Sequence, residues 1–92
     1  MSKKRTKPAK KVLVDYEEKM SLPFAASYLQ QIATKFKEDQ RFTLTVGDES
    51  FDIVPSSQVE LEIKLEQRGS KYKFEIELEW DEAKADQTLS IE

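Results

Sequence analysis

The chain predicts an α+β domain, one helix packed on one face of a mostly antiparallel meander sheet in the order β-α-β-β-β-β, and three observations carry that prediction. Residues 58–80, QVELEIKLEQRGSKYKFEIELEW, alternate apolar and charged side chains through two runs, the mark of half-buried strands. Residues 22–39 instead repeat their apolar side chains at three- and four-residue spacing, the mark of a helix with one buried face. Gly47-Asp48-Glu49-Ser50, between these segments, and Gln67-Arg68-Gly69-Ser70, within the first of them, supply turn residues between alternating runs.

In chain order, MSKKRTKPAKK has no apolar side chain beyond Met1 and Ala9 and holds Pro8, so it buries too little to offset the entropy of ordering it. Residues 1–11 are therefore read as a disordered leader. Val12, Val14 and Tyr16 alternate with Leu13, Asp15 and Glu17 and suggest a first strand, whose place in the sheet stays open. Ser21 is a helix N-cap with Pro23 in the first turn, and Ala25, Leu29, Ile32, Ala33 and Phe36 form the apolar stripe of a helix over about 22–39, flanked by Tyr28. Such a helix is about 27 Å long. Phe42, Leu44 and Val46, then Phe51 and Ile53, form a short hairpin that ends at Pro55.

The long hairpin follows. Val59, Leu61, Ile63 and Leu65 share a face in its first strand, as do Tyr72, Phe74, Ile76, Leu78 and Trp80 in its second. A turn centred on Arg68-Gly69 sets Leu65 opposite Tyr72, Ile63 opposite Phe74, Leu61 opposite Ile76 and Val59 opposite Leu78. Its strands reach about 30 Å, so the helix matches them in length and is expected to lie across their apolar face. Beyond Trp80 the alternation stops, and 81–92 read as a polar tail in which Leu89 and Ile91 are available to dock as a short extra strand.

Composition excludes more than it assigns. Ninety-two residues, 38% of them hydrophobic, make one small domain with a single modest core. With no Cys and no His, structural zinc, thiolate redox chemistry, Cys or His nucleophiles and the usual serine triad all lack essential parts. The chain is accordingly expected not to be an enzyme and to use no cofactor. A hydrolase using carboxylates alone would need two carboxyls facing each other in a pocket. There is no disulfide framework, no apolar run long enough to span a membrane and no signal-peptide core, so a soluble intracellular protein is expected.

The net charge of -3 hides an asymmetry. Lys3, Lys4, Arg5, Lys7, Lys10 and Lys11 give residues 1–11 a charge of +6 with no acid, leaving -9 on residues 12–92. Two candidate surfaces follow. In the expected register Glu62 faces Glu75, Glu60 faces Glu77 and Lys64 faces Lys73, so Glu60, Glu62, Glu75, Glu77 and Glu79 form an acidic patch toward Trp80. As a solvated outer face the patch deters aggregation; as a site it suits a basic partner or a weakly held divalent cation, though no loop with calcium-ligand spacing accompanies it. The basic leader either solubilises the chain, folds back on the acidic domain or meets nucleic acid in a salt-sensitive, sequence-independent way, without a folded basic patch or RNA-binding aromatic motif to help. Reading it as a nuclear-localisation signal would require a eukaryotic source. Trp80 is expected to be mostly buried, closing the end of the core, with a ligand-stacking role as the alternative.

Met20-Ser21 at a helix start, Ala25-Ala26, the core set Leu29, Ile32 and Ala33, the strand Val59-Glu60-Leu61-Glu62 and the last strand Phe74-Glu75-Ile76-Glu77-Leu78-Glu79-Trp80 follow one another in an order that resembles the amphi-Trp domain family. The resemblance covers about residues 12–80, and the departure is at Leu22-Pro23-Phe24, where charged residues are more usual and the capping-box Glu is missing. It implies a small bacterial or archaeal protein in the cytoplasm and brings no established activity with it. The expectation is a binding or interaction module acting through the acidic sheet face or an exposed sheet edge, on a protein partner or a second copy of itself. The alternative is a nucleic-acid-associated protein acting through the leader.

Overall fold

A computed structural model describes residues 8–82 of the chain. It contains one helix, α1 (Leu22–Glu38), then β1 (Phe42–Val46), β2 (Glu49–Ile53), β3 (Glu60–Arg68) and β4 (Lys71–Glu79). The α+β class holds, with the helix and all four antiparallel strands where the alternation and the apolar stripe place them. The strands, however, form two separate two-stranded sheets, β1 with β2 and β3 with β4, rather than one meander. The segment around Val12, Val14 and Tyr16 forms no strand, which removes the first β from the expected order. Leu13, between two alternating apolar residues, already breaks the pattern. Residues 1–7, with Lys3, Lys4, Arg5 and Lys7, and residues 83–92, with Leu89 and Ile91, lie outside the described residues.

The helix starts as its sequence dictates. Ser21 sits in extended backbone (φ -68°, ψ 154°), and its Oγ accepts from the Phe24 N–H at 3.3 Å. Pro23 occupies the first turn, where a missing N–H costs nothing. At the other end Lys35 and Lys37 meet the negative end of the helix dipole, and the N–H groups of Asp39 and Gln40 both donate to the Lys35 carbonyl, at 2.8 and 3.0 Å. Gln40 leaves the helix with φ +60°, a left-handed conformation that an L side chain adopts only at a cost.

Both hairpins close through two-residue loops, Gly47-Asp48 and Gly69-Ser70. Gly47 has φ +63° and Gly69 φ +60°, whereas Asp48 and Ser70 do not take positive φ. This is the pattern of a type II′ turn, which wants Gly at the first loop position and whose twist suits paired strands. The loop at 69–70 corrects the expected register by two residues: Leu65 faces Phe74, Ile63 faces Ile76 and Leu61 faces Leu78. A slip of two leaves every side chain on its expected face. Only the pairing changes.

The helix lies against the short hairpin and not across the long one. Phe36 and Phe42 meet edge to face with ring centroids 5.2 Å apart, a contact worth about 0.5–1.5 kcal/mol beyond area burial. Ala25, Ile32, Phe36, Phe42, Leu44, Val46, Phe51 and Ile53 are half-buried in this part of the molecule, and no described residue is fully buried. On the outer face Thr43 donates to Asp52 at 3.0 Å and the Thr45 and Ser50 hydroxyls bond at 3.0 Å across the strands. The long hairpin is left with Leu61, Ile63, Leu65, Tyr72, Phe74 and Ile76 between 52% and 67% exposed.

Backbone strain yields two substitutions of opposite sign. A Cβ on Gly69 would meet nothing within 4 Å, so Gly69→Ala tests the turn conformation alone and should lower stability by about 1–2 kcal/mol. Gln40→Gly should raise it by about 1 kcal/mol. Urea unfolding followed by circular dichroism should show the two midpoints moving in opposite directions.

Candidate functional site

The charged face of the long hairpin carries the candidate site, and its arrangement follows from the register. Glu60 faces Glu79 and Glu62 faces Glu77, then Lys64 faces Glu75, Glu66 faces Lys73 and Arg68 faces Lys71. The face is thus divided into an acidic end, a mixed middle and a basic end at the turn, spread over strands about 30 Å long. The expected pairs of Glu62 with Glu75, Glu60 with Glu77 and Lys64 with Lys73 do not occur, because the turn lies one residue later than Arg68-Gly69.

In the middle, charges neutralise one another. Lys73 reaches Glu75 at 2.7 Å, Lys64 reaches Glu66 at 3.4 Å, and Lys64 stands 4.0 Å from Glu75. The Lys73 ammonium, by hydrogen bond and charge, holds the Glu75 carboxyl below the usual carboxylate range, with Lys64 adding a smaller pull. Glu66 first, then Glu75, raises Lys64, and Glu75 raises Lys73. Glu75 therefore belongs to an ion-pair cluster and not to the acidic patch in which its sequence position places it.

At the acidic end Glu60, Glu62, Glu77 and Glu79 form no salt bridge with any described residue. Next to them an open cleft of about 670 Å³ is lined by Ser56, Gln58, Val59, Glu60, Glu79, Trp80, Asp81 and Glu82. Trp80 is 38% exposed there, against the expectation that it would be mostly buried. With α1 on the short hairpin, nothing in the described chain closes over this end. Residues 56–59 enter β3 where β4 ends, so the linker forms one wall of the cleft and Trp80 another. The sequence reading missed Asp81, Glu82 and the linker wall. Pairing of Glu60 with Glu79 was the signal, since it puts the residues before β3 beside those after β4.

No group of three or more carboxylates among the described residues is placed to hold a metal ion, so the arrangement gives the divalent-cation reading no support. Of the leader's basic residues, Lys10 and Lys11 are among those described; both are exposed and lie in no helix or strand. No helix among the described residues is long and apolar enough to cross a membrane.

Among the described residues these features define a small α+β domain of one capped helix and two tight hairpins, whose last strand is followed directly by a tryptophan beside a row of acids. The chain belongs to the Amphi-Trp domain family, whose family model matches residues 7–92. No curated protein and no solved structure matches it.

The geometry predicts how stability responds to charge. Glu75, with its pKa depressed, contributes stability that is present above the ordinary carboxylate range and lost as pH falls through the depressed value. Glu75→Gln should therefore give a shallower loss of melting temperature from neutral to strongly acidic pH than wild type, as read by circular dichroism. Glu62→Lys places a cation opposite Glu77 and should stabilise the hairpin by about 0.2–1 kcal/mol in urea unfolding.

Proposed function

We propose that the protein is a non-enzymatic interaction module whose acidic hairpin end takes a cationic segment of a partner protein. The observation that carries this reading is the set Glu60, Glu62, Glu77 and Glu79, carboxylates paired face to face with like charge and bordered by the Trp80 cleft. Like charges directly opposite one another cost stability, so the arrangement is one that a bound cation relieves. Val59 and the indole of Trp80 give an apolar and aromatic wall against which a Lys stem or an Arg guanidinium can lie while its charge meets the acids. The partner is thus a Lys- or Arg-rich segment. The family resemblance supports a prokaryotic cytoplasmic setting.

Opening of the site to solvent sets the character of binding. Exposed carboxylates steer a basic partner and accelerate encounter, and they lose strength as salt screens them. Mutating such charges changes on-rate and salt dependence first.

The test is an anisotropy titration of a labelled oligoarginine peptide with the full chain at low and moderate salt, with Trp80 fluorescence read in parallel. Wild type should bind at low salt and perturb the indole emission, and Glu62→Lys combined with Glu77→Lys should weaken binding by about tenfold or more. Absence of binding by wild type at low salt, or equal binding by the variant, overturns the proposal. If labelled DNA binds instead, and replacing Lys3, Lys4, Arg5, Lys7, Lys10 and Lys11 by Gln abolishes it, the nucleic-acid reading of the leader takes its place.

A further inference from the structure

We propose that the apolar face of the long hairpin is covered by the same face of a second copy, giving a two-fold symmetric dimer in which two β3–β4 hairpins pack as a small sandwich. The face is built by Leu61, Ile63, Leu65, Tyr72, Phe74 and Ile76, all more than half exposed. Such a face on a soluble chain marks an interface.

The described chain holds its own helix away from this face. Ile53 ends β2 and Glu60 begins β3, and Pro55 lies between them with its φ locked near -65° while the residue before it, Val54, is pushed to extended backbone. Pro55 and Ser56 are half-buried, and the Ser56 hydroxyl donates to the Gln58 carbonyl at 2.6 Å, which braces the turn of the linker. Phe36 is already occupied with Phe42 on the short hairpin. Covering the long hairpin from within the chain would require this braced linker to fold back and that ring pair to be given up.

A second copy requires neither. The face is apolar along its whole length, with Ile63 opposite Ile76 at its centre, so the same patch of a second copy can meet it apolar against apolar in an isologous contact. Two such hairpins can pack about 10 Å apart with strands nearly aligned. Taking four aliphatic and two aromatic side chains at their observed exposure, each copy removes about 600 Å² from water, and the pair about 1200 Å², the lower bound for a specific interface. Charge agrees with this choice, since every charged residue of β3 and β4 lies on the opposite face and points outward from such a sandwich without being desolvated. The contact uses the sheet's face, whereas the sequence suggested an edge.

Sedimentation velocity of the full chain from micromolar to submillimolar concentration should show mass rising toward twice the 10.7 kDa of one chain. Ile63→Lys should hold the protein at the monomer mass while circular dichroism reports whether the hairpin survives. Because that variant could instead unfold, a second measurement uses the absence of cysteine from the chain. Ile63→Cys should oxidise to a covalent dimer that retains the wild-type spectrum, and Glu62→Cys, on the outer face of the same strand, should not. A monomer at every concentration overturns the proposal and assigns the cover to the chain itself or to another protein. A dimer that cross-links through Glu62→Cys and not Ile63→Cys overturns it by placing the contact on the other face.

Discussion

Everything distinctive about the long hairpin depends on one backbone constraint, the two-residue turn at Gly69-Ser70. Gly69 takes φ +60°, which a residue with a Cβ resists, and with only two loop residues Arg68 must pair with Lys71. From that pair the rest of the ladder follows without further choice. Four acids meet each other at the open end, two lysines and two acids interlock in the middle, and Ile63 meets Ile76 at the centre of the apolar face. The side chains near the turn reinforce it: Gln67 Nε2 donates both to the Tyr72 hydroxyl at 2.9 Å and to the Gly69 carbonyl at 3.1 Å. Had the loop fallen on Arg68-Gly69, the same residues would occupy the same faces, but Lys64 would face Lys73 and the ion-pair cluster would not form.

This explains what alternation can and cannot reveal. A period of two determines which side chains share a face, because a slip of one residue would move them all across the sheet. A slip of two is invisible to it. Val59, Leu61, Ile63 and Leu65 satisfy either register against the stripe from Tyr72 to Trp80, so the face was legible and the partners were not. The charged residues could have decided the matter, since the observed register places Lys64 opposite Glu75 and Glu66 opposite Lys73, whereas the alternative places lysine against lysine. Cross-strand charge pairs differ by only tenths of a kcal/mol, but here several point the same way and the turn's demand for Gly at its first position agrees with them.

The helix illustrates a second limit. Ser21, Pro23 and the stripe from Ala25 to Phe36 place α1 to within one residue, since caps and periodicity act locally. They do not say which apolar face the stripe will meet. Matched lengths favoured the long hairpin, yet α1 is tied to β1 by the short connection 39–41, and Phe42 lies within reach of Phe36 as soon as the chain leaves the helix. Proximity along the chain won because closing a short loop costs less entropy than closing a long one. Trp80 follows from the same event, half-exposed on a cleft wall because the helix that would have covered it is elsewhere.

The acidic end and the apolar face are two sides of one pair of strands, and the pairing that builds one builds the other. Because successive residues point to opposite sides, the glutamates in Glu60-Leu61-Glu62-Ile63 alternate with apolar neighbours that face the other side of the sheet. Covering the apolar side would stiffen the strands and fix the spacing of the carboxylates, so that ordering of the acids is complete before a cation arrives and the entropy of arranging them is not charged to binding. Leaving it uncovered would let the open end, which has no turn to close it and carries the like-charge pairs, fray first. Under the proposed function the free end of the hairpin is therefore the place where stability and recognition are coupled: the same like charges that weaken the strand ends would draw a cationic segment to them.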